Sequence, residues 1–399
     1  MSEASLAPRD EAALAAAIAA AHAAAEPLAI EGNGSKRDLL RPVQAARTLS
    51  TRGLSGITLY RPQELIVSAL AGTPLAEIEA ALAEKGQHLI AEPPTLSAFF
   101  GTDRAPTIGG LVATNLSGPR RIAGGAMRDH VMGIRAVTGT GAVFRSGGRV
   151  LKNVTGLDLC KLLTGAHGTL GVLTEVTLKV LPAPASSGSL AVQVADLATG
   201  VRALSAGLGS PFGVSGAALL PQAGPAGGLA GLPGPLALLR IEDFAESVAY
   251  RLGRLREDLA GFGTVALLAE EASLAAWRAV REAEPLGAAP GEAVWRVSVK
   301  PSAGPGVAAA AGLDKALLDW GGGLVWLAGP ATPDQHARVV AAAAAAGGTF
   351  TLFRAPEPLR AAVAVLPEEP PALAAIGRRV KAVLDPKGIL NPGRMRAGA

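Results

Sequence analysis

The sequence predicts an α+β protein with two domains, and three observations support this fold class. The 399 residues are 49% hydrophobic and 18% charged, which is enough apolar material for a large core in more than one domain. Glycine-rich turns that run into short strands recur through the first half of the chain. The second half alternates strand and helix patterns, as in an α+β sandwich. The Pro/Ser/Gly-rich residues 182–189 separate the halves, and we expect the domain boundary there.

Composition excludes several classes of partner and environment. The formal net charge is +4 and aromatic residues make up 4%, so the interleaved basic and aromatic side chains of nucleic-acid-binding proteins are missing. Cys160 is the only cysteine, so this chain alone supplies neither an intrachain disulfide nor a four-thiolate iron–sulfur cluster. A reducing, cytoplasmic setting is consistent with this. The Ala-rich N-terminal stretch lacks about 20 consecutive strongly apolar residues, so we expect no direct membrane span.

The first elements in chain order are a helix and a strand–helix unit. Asp10 precedes the Ala-rich run and predicts the N-cap of a surface helix within residues 1–26. Residues 65–70 predict a strand, and the apolar spacing after them predicts a helix capped by Thr73 and ended by Gly86. This unit is expected to be scaffold.

Between these elements lies a turn of small and polar residues, residues 32–36. Gly32 and Gly34 flank Asn33, which tolerates the left-handed conformation, so the turn presents a concave row of main-chain N–H donors. An ordinary tight turn is the alternative. The Gly-Lys-Ser/Thr order of a Walker A loop is absent.

The longest glycine-rich stretch runs from residue 105 to residue 182. Residues without Cβ let backbone N–H groups approach a ligand, and this stretch indicates a large anionic cofactor. Within it, residues 135–145 predict a hairpin around Thr140, and the alternation over residues 172–180 predicts a strand ended by Pro182.

The order and spacing of these turns resemble the flavin domain of the vanillyl-alcohol oxidase superfamily. The matching motifs are Gly32-Asn33-Gly34-Ser35, Thr107-Ile108-Gly109-Gly110, Thr114-Asn115-Leu116-Ser117-Gly118, Gly147-Gly148, Lys152-Asn153-Val154-Thr155-Gly156-Leu157-Asp158 and Gly168-Thr169-Leu170-Gly171-Val172-Leu173-Thr174-Glu175. Within the superfamily, residues 115–121 are especially similar to the FAD-binding subunits of bacterial glycolate oxidases. Residues 385–394 resemble the end of FAD-linked oxidase chains.

The resemblance implies a PCMH-type FAD-binding fold of two subdomains, followed by an α+β sandwich like the C-terminal domain of FAD-linked oxidases. The expected ranges are an N-terminal helix at residues 1–26, the FAD-binding domain at 27–185, a cap or interaction domain at 190–384 and a tail at 385–399 that returns to the FAD domain. The first turn lacks the histidine that bonds covalently to the flavin in some relatives, so FAD is expected to be noncovalent.

The resemblance also implies which residues hold FAD, mostly through main-chain amides. The pyrophosphate is expected at Gly32, Asn33, Gly34, Ser35 and Lys36. The residues expected nearer the flavin ring are Thr107, Ile108, Gly109, Gly110, Thr114, Asn115, Ser117 and Gly118. Those expected along the adenosine or the ring edge are Gly168, Thr169, Gly171, Val172 and Leu173. The candidate set is completed by Pro94, Thr95, Asn153, Gly156 and Asp158.

The second half departs from relatives that oxidise D-lactate or glycolate by themselves. Those relatives place histidines and acids there as a base or as metal ligands, whereas this chain has one histidine, His336, which we expect on the surface of an Ala-rich helix. We therefore predict no metal site. His130 and His167 are the candidate catalytic bases, with a packing or hydrogen-bonding role as the alternative.

Charged and aromatic residues leave further alternatives open. Three arginines have two interpretations: they attract a carboxylate or the flavin's negative charge, or they only solvate a surface of the protein. These arginines are Arg120, Arg121 and Arg128. The tryptophans are expected as core and interface anchors, and they are Trp277, Trp295, Trp320 and Trp326. The predicted strands of this half are residues 236–241, 264–268, 293–299, 324–327 and 349–353, and the predicted helices are residues 245–259, 273–284, 307–320 and 333–346.

The favoured functional hypothesis is a noncovalent FAD-binding subunit of a bacterial glycolate oxidase or dehydrogenase complex. Such a subunit takes part in oxidising glycolate, a small 2-hydroxy acid, to glyoxylate and in electron transfer. The chain has no iron–sulfur or haem motif, so its electrons must leave through another molecule. The resemblance implies two partners, a catalytic flavoprotein subunit and an iron–sulfur subunit, in the cytoplasm or at the inner face of the cytoplasmic membrane through those partners.

Two alternatives remain at this point. One is a self-sufficient FAD-dependent 2-hydroxy acid dehydrogenase of the D-lactate type, with His130 or His167 as its base. The other is a non-catalytic scaffold subunit that has lost FAD.

Overall fold

The protein's structure, a computed structural model, describes residues 4–149, 156–220 and 232–398. Contacts between residues divide the chain into two compact units. Unit 1 consists of Met1–Ser117, Gly125–Ala183 and Glu368–Ala399. Unit 2 consists of Gly118–Gly124 and Pro184–Pro367.

Unit 1 contains two main sheets within the described residues. The strands are β1 (Ala4–Leu6), β2 (Leu28–Glu31), β3 (Arg47–Ser50), β4 (Ile57–Arg61), β5 (Ile66–Leu70), β6 (Gln87–His88), β7 (Val131–Val137), β8 (Val143–Gly147), β9 (Val172–Lys179) and β10 (Leu181–Pro182). A three-stranded sheet has the order β1-β3-β2 with parallel pairing, and a five-stranded antiparallel sheet has the order β4-β5-β9-β7-β8. A short pair joins β10 to β6.

Helices complete unit 1, and the N-terminal one is anchored in its core. The helices are α1 (Glu11–Ala24), α2 (Leu75–Ala83), α3 (Ser97–Phe100), α4 (Ile108–Thr114), α6 (Met127–His130), α7 (Leu159–Leu163) and α14 (Pro371–Leu384). The carboxylate of Asp10 accepts a hydrogen bond from the N–H of Ala13 at 2.7 Å, which confirms the predicted N-cap. Leu14 and Ile18 of α1 are fully buried against Leu49 and Val137.

Unit 2 is built on one antiparallel sheet of eight strands. The strands are β11 (Ser186–Gln193), β12 (Val214–Leu220), β13 (Leu236–Asp243), β14 (Thr264–Leu268), β15 (Ala293–Ser298), β16 (Lys315–Asp319), β17 (Leu324–Gly329) and β18 (Thr349–Arg354). Their order in the sheet is β14-β11-β13-β12-β16-β17-β15-β18. The helices of this unit are α5 (Arg121–Gly124), α8 (Leu197–Gly209), α9 (Ala245–Leu259), α10 (Glu270–Arg281), α11 (Gly304–Ala311), α12 (Pro333–Ala345) and α13 (Glu357–Ala362).

Two local predictions were wrong. Residues 307–320 do not form one helix, because Gly312 takes a left-handed φ of 64° after α11 and the buried residues that follow form β16. Thr73 does not cap α2, whose N-cap is Pro74. The Thr73 hydroxyl instead donates to the carbonyl of Leu70 at 2.7 Å.

The units differ from the predicted domain ranges at two places. Gly118–Gly124 belongs to unit 2 although the predicted FAD-binding domain includes it, and α14 belongs to unit 1 although the predicted cap domain ends at residue 384. The main-chain N–H of Gly139 donates to the carbonyl of Leu384 at 2.8 Å, which contributes to this grouping. The domain ranges themselves remain a prediction.

Candidate flavin site

The first glycine turn and the second glycine stretch lie side by side in unit 1. Asn33 Nδ2 donates to the carbonyl of Ala105 at 3.1 Å. A Cβ at Gly32 would collide with Oγ1 of Thr107, so the two segments approach this closely only because residue 32 is glycine. Gly34 has a left-handed φ of 71°, which few other residues adopt without strain.

The third turn, residues 165–171, is hydrogen-bonded to the end of α4. The N–H of Gly165 donates to the carbonyl of Val112 at 3.1 Å, and that of His167 donates to the carbonyl of Ala113 at 2.9 Å. Gly168 is left-handed, with φ 71°. The three turns that the sequence spreads over about 140 residues therefore converge in unit 1.

Asn391, in the C-terminal tail, joins the third turn to the strand that leads into the first. Its Oδ1 accepts from the N–H of Ile30 at 2.7 Å, and its Nδ2 donates to the carbonyls of Ile30 at 3.1 Å and His167 at 2.8 Å. Asp385 holds the tail in shape by accepting from the N–H of Leu390 at 2.9 Å and from Nζ of Lys381 at 2.7 Å.

A second tail residue holds the first turn from its carbonyl side. Arg394 donates to the carbonyls of Lys36 at 3.1 Å, Arg37 at 2.9 Å and Arg41 at 3.1 Å. The guanidinium of Arg37 is itself paired with Glu31, at 2.6 Å. The turn is thus shaped by hydrogen bonds to its main chain, and part of its positive charge is already neutralised.

Several predicted ligands use their side chains to support the scaffold. Thr114 Oγ1 donates to the carbonyl of Gly110 at 2.8 Å. Asn115 Oδ1 accepts from the N–H of Arg128 at 3.0 Å, and Ser117 Oγ accepts from the N–H of Met127 at 2.9 Å. These polar side chains therefore shape the backbone around the turns.

The remaining predicted residues are placed less directly. Val172 and Leu173 are buried in β9, where they pair with β7, and Asp158 is the N-cap of α7. Pro94 is buried and Thr95 half-buried in the turn before α3. Asn153 lies outside the described residues. Every ligand assignment in this set remains a prediction.

The candidate bases in unit 1 have unlike surroundings. Burial, followed by the positive charge of Arg394, lowers the pKa of His167 to about 3. General bases work best when their pKa lies close to the operating pH. A histidine with a pKa of about 3 therefore accepts protons poorly near neutral pH. His130 is only 7% exposed and ends α6.

The expectation that His336 lies on the surface was wrong. It is 6% exposed, and its Nδ1 accepts a hydrogen bond from Nε1 of Trp295 at 3.1 Å. Burial lowers its pKa. The run of alanines on α12 concealed which face of the helix is buried, because alanine occurs on both faces. Trp277 and Trp295 are fully buried, so the core-anchor prediction is confirmed for these two.

Two family models match the chain: FAD binding domain over residues 2–147, and FAD linked oxidases, C-terminal domain, over residues 362–395. The chain is 38% identical over 376 residues to glycolate oxidase subunit GlcE of Escherichia coli (strain K12), covering 93% of each chain. The chain belongs to this family of FAD-linked oxidases. The resemblance predicted from its motifs is confirmed, and its cofactor is FAD.

Further relatives support the family and the fold. Glycolate oxidase subunit GlcD of Bacillus subtilis (strain 168) is 29% identical over 149 residues, which are 37% of this chain and 30% of that protein. Both named relatives are subunits, which points to a multi-subunit complex. The solved structure of p-cresol methylhydroxylase has a TM-score of 0.72 at 14% identity and covers 98% of this chain and 88% of that chain. The predicted PCMH-type α+β fold is thereby confirmed.

One feature of the converged turns is compatible with a bound flavin dinucleotide. At Gly110 an added Cβ would meet a single atom within 4 Å, Thr107 Oγ1 at 3.3 Å, so the main chain there borders open space. At the adjacent Gly109 a Cβ would lie 2.6 Å from Cβ of Ala71, so that glycine serves helix packing. Bare backbone beside open space is what a cofactor held by main-chain amides requires.

Two features are absent from the described residues. No helix in residues 4–149, 156–220 and 232–398 is long and apolar enough to cross a membrane. In the same ranges no group of three or more His, Cys, Asp or Glu side chains is arranged to hold a metal ion.

Proposed function

We propose that this chain is the noncovalent FAD-binding subunit of a bacterial glycolate oxidase or dehydrogenase complex. The observation that carries the proposal is the 38% identity to GlcE over 93% of both chains, joined to the convergence of three glycine turns in unit 1. A partial match would favour the flavin domain alone, whereas this one extends through unit 2 and the tail.

In this role the chain's own residues bind and position the cofactor. The turn at residues 32–36 offers main-chain N–H groups to the pyrophosphate, and the turn at residues 107–110 brings bare backbone beside the ring, since the N–H groups of Ile108 and Gly109 already donate to the carbonyls of Thr73 and Ala71. Arg394 and Asn391 hold the first and third turns in place. FAD, when bound, supplies a two-electron acceptor for the oxidation of a 2-hydroxy acid to a 2-oxo acid. No side chain in the first turn is a histidine, which supports noncovalent binding.

Substrate chemistry falls mainly to a partner subunit in this proposal. The pKa of His167 is about 3, and His336 is buried against Trp295, so neither suits a proton acceptor for glycolate. The electrons leave through a second subunit with an iron–sulfur centre, since one cysteine cannot ligate such a cluster. The complex is cytoplasmic or sits at the inner face of the membrane through its partners.

The test is a set of spectra of the purified chain, alone and with its complex. The chain alone is expected to be yellow with a flavin spectrum, and acid is expected to release the chromophore into solution. Anaerobic glycolate is expected to bleach the flavin in the complex and to leave the isolated chain unchanged.

Each contrary outcome selects one alternative. Bleaching of the isolated chain by glycolate or D-lactate would establish a self-sufficient dehydrogenase. A colourless chain that takes up no FAD would establish the scaffold alternative. Chromophore that stays with the acid precipitate would overturn noncovalent attachment.

A further inference from the structure

Helix α14 is as long as α1 but buries none of its side chains. Both helices have 14 residues and belong to unit 1. In α1, Leu14 and Ile18 are fully buried, whereas every residue of α14 is exposed or half-buried. An isolated helix of this length is marginal in water, and helices in proteins are stabilised mainly by packing an apolar face. The apolar residues of α14 therefore need an explanation.

The exposed apolar residues of α14 form one stripe. They are spaced by three, four and three residues, which places their side chains on one face of the helix over three turns. The exposed fractions are 57% for Leu373, 48% for Ile376 and 78% for Val383, and the fourth residue is half-buried. Single exposed apolar residues are common, but a contiguous apolar surface marks an interaction site. The α14 stripe consists of Leu373, Ile376, Val380 and Val383.

Polar contacts near both ends hold α14 in place. Lys381 donates to the carbonyl of Thr169 at 2.6 Å and to the carboxylate of Asp385 at 2.7 Å. Just before the helix, Glu369 pairs with Arg396 at 2.9 Å. Lys381 is not three or four residues from any member of the stripe, so it anchors the helix by a different face. The stripe is thus presented in a fixed orientation.

Within α14, one charged side chain borders the stripe. Arg379 follows Ile376 by three residues and precedes Val383 by four, so it lies beside both. It is exposed and makes no ion pair within the part of the chain that the structure describes. Arg378 is also exposed, but it is three or four residues from no member of the stripe. A surface that covers the stripe therefore meets Arg379, and a carboxylate there would complement its charge.

Charge and area both argue against a second copy of this chain on the stripe. The spacing is symmetric about residue 378, so the stripe could align with itself in an antiparallel pair. Arg379 of one copy would then lie within one helical turn of Arg379 of the other, on the same edge of the contact, where like charges repel. A stable interface also buries about 800 Å² per partner, which exceeds what one short stripe covers. A larger partner with acidic side chains meets both conditions.

We propose that the α14 stripe, bordered by Arg379, is a surface by which this chain docks onto a partner subunit of its complex. The matching surface of the partner is apolar and is bordered by Asp or Glu. This inference rests on the proposed function, which supplies the complex, and both named relatives are themselves subunits. It assigns to α14 a role in assembly that is separate from FAD binding.

The experiment measures the affinity of the purified, FAD-loaded full chain for a purified subcomplex of the catalytic flavoprotein subunit and the iron–sulfur subunit. Biolayer interferometry at low and high salt gives the Kd. Ile376→Asp and Val383→Asp should each raise the Kd about tenfold or more, because each places an unpaired charge in an apolar contact.

Arg379→Glu should raise the Kd about tenfold at low salt, and the difference from wild type should shrink at high salt, because salt screens charges at the edge of an interface. Arg378→Glu is the matched control, since it makes the same charge change at an exposed neighbour on another face of α14. Its Kd should stay within about twofold of wild type. The substituted side chains are exposed, so each variant is expected to fold and to show the flavin spectrum of wild type.

Each contrary outcome overturns a stated part of the proposal. Equal Kd values for wild type and Val383→Asp would overturn the docking surface and leave the proposed function intact. Equal losses from Arg378→Glu and Arg379→Glu would overturn the assigned face. A dimer of the isolated chain that Val383→Asp abolishes, seen by sedimentation, would assign the stripe to a second copy. A wild-type chain that binds no partner subunit would overturn the proposed function and the docking surface together.

Discussion

The two units differ in chemistry: unit 1 brings glycine turns together, and unit 2 contains a cluster of paired charges. In unit 1 the three turns bring bare backbone together, and side chains such as Thr114 and Ser117 serve mainly to shape that backbone. In unit 2 the corresponding polar cluster consists of side chains, with arginines packed on aromatic rings and a buried carboxylate, Glu242. Main-chain recognition requires glycine at certain positions, whereas side-chain recognition requires charges to be brought together and neutralised.

This difference determines how each site responds to mutation and to pH. A site made of backbone is disturbed by any added side chain and is nearly indifferent to the loss of a charge. A site made of paired charges tolerates changes of size better than changes of charge. The following predictions test this contrast, and they run from the largest expected effect to the smallest.

Glu242→Gln is expected to destabilise unit 2 by about 4 kcal/mol, because it leaves two arginines without their buried counter-ion. Burial raises the pKa of Glu242, but the hydrogen bond from Arg120 and the charges of Arg240 and Arg120 hold it at about 2, below its ordinary 4.5. The stabilisation that ionised Glu242 gives the wild-type fold is therefore present above pH 4.5 and is lost as the pH falls toward 2. Denaturant unfolding followed by tryptophan emission measures it, since the chain's four tryptophans lie in unit 2. Equal midpoints for variant and wild type at pH 7 would contradict it.

Gly109→Ala and Gly110→Ala form a matched pair in unit 1. The first is expected to destabilise the fold by about 3 kcal/mol, because the new Cβ meets Ala71. The second is expected to change stability by less than about 1 kcal/mol and to lower flavin occupancy at least tenfold. Thermal unfolding and the flavin-to-protein absorbance ratio separate the two effects. If Gly110→Ala retained full flavin, the placement of this loop against the cofactor would be incorrect.

His167→Gln is expected to make the fold less sensitive to acid. A pKa lowered to about 3 in the folded state means that the unfolded state binds the proton first, so stability falls as the pH drops below about 6.5. At pH 5 the difference amounts to about 2 kcal/mol, and it vanishes above pH 7. Hydrogen exchange of peptides from β2 and β9, followed between pH 7 and pH 5, measures the stability of unit 1. The exchange rates of wild type and His167→Gln should differ only at acidic pH. The same pH dependence in both proteins would exclude His167 as the cause of the acid sensitivity.

Glu257→Gln is expected to change stability by less than about 0.5 kcal/mol. Glu257 pairs with Arg254 at 2.7 Å, but the two side chains are 58% and 50% exposed. The same tryptophan emission assay should place its midpoint within error of wild type. A large loss here would mean that exposed and buried pairs contribute alike, and the distinction drawn for Glu242 would fail.

Local patterns in the sequence predicted elements of both units. The turns at residues 32–36 and 107–118 are contiguous motifs, and their glycines report conformations that can be inferred one residue at a time. Apolar alternation likewise predicted β9 and β14, and helical spacing predicted α9. The family, the fold and FAD followed from these motifs and were confirmed.

What could not be predicted depends on residues that meet only in the folded chain. Arg120 and Arg121 were predicted as two of three arginines that could attract a carboxylate, but nothing in the sequence joined Arg120 to Glu242 or placed Arg121 beside Trp320. Strand β16 was assigned to a helix because the alanine run before Gly312 masked the change of period. Asn391 was included in a tail motif, yet its bonds to Ile30 and His167 are visible only in the structure.

The division of unit 1 along the chain has a consequence for biosynthesis. Leu28 of β2 pairs with Leu390, and the intervening sequence contains all of unit 2. During translation β2 emerges early but must wait for this partner until unit 2 has been made, since domains form as their parts leave the ribosome. The part of unit 1 that Leu390 and Asn391 complete can therefore form only after the whole of unit 2 has been synthesised.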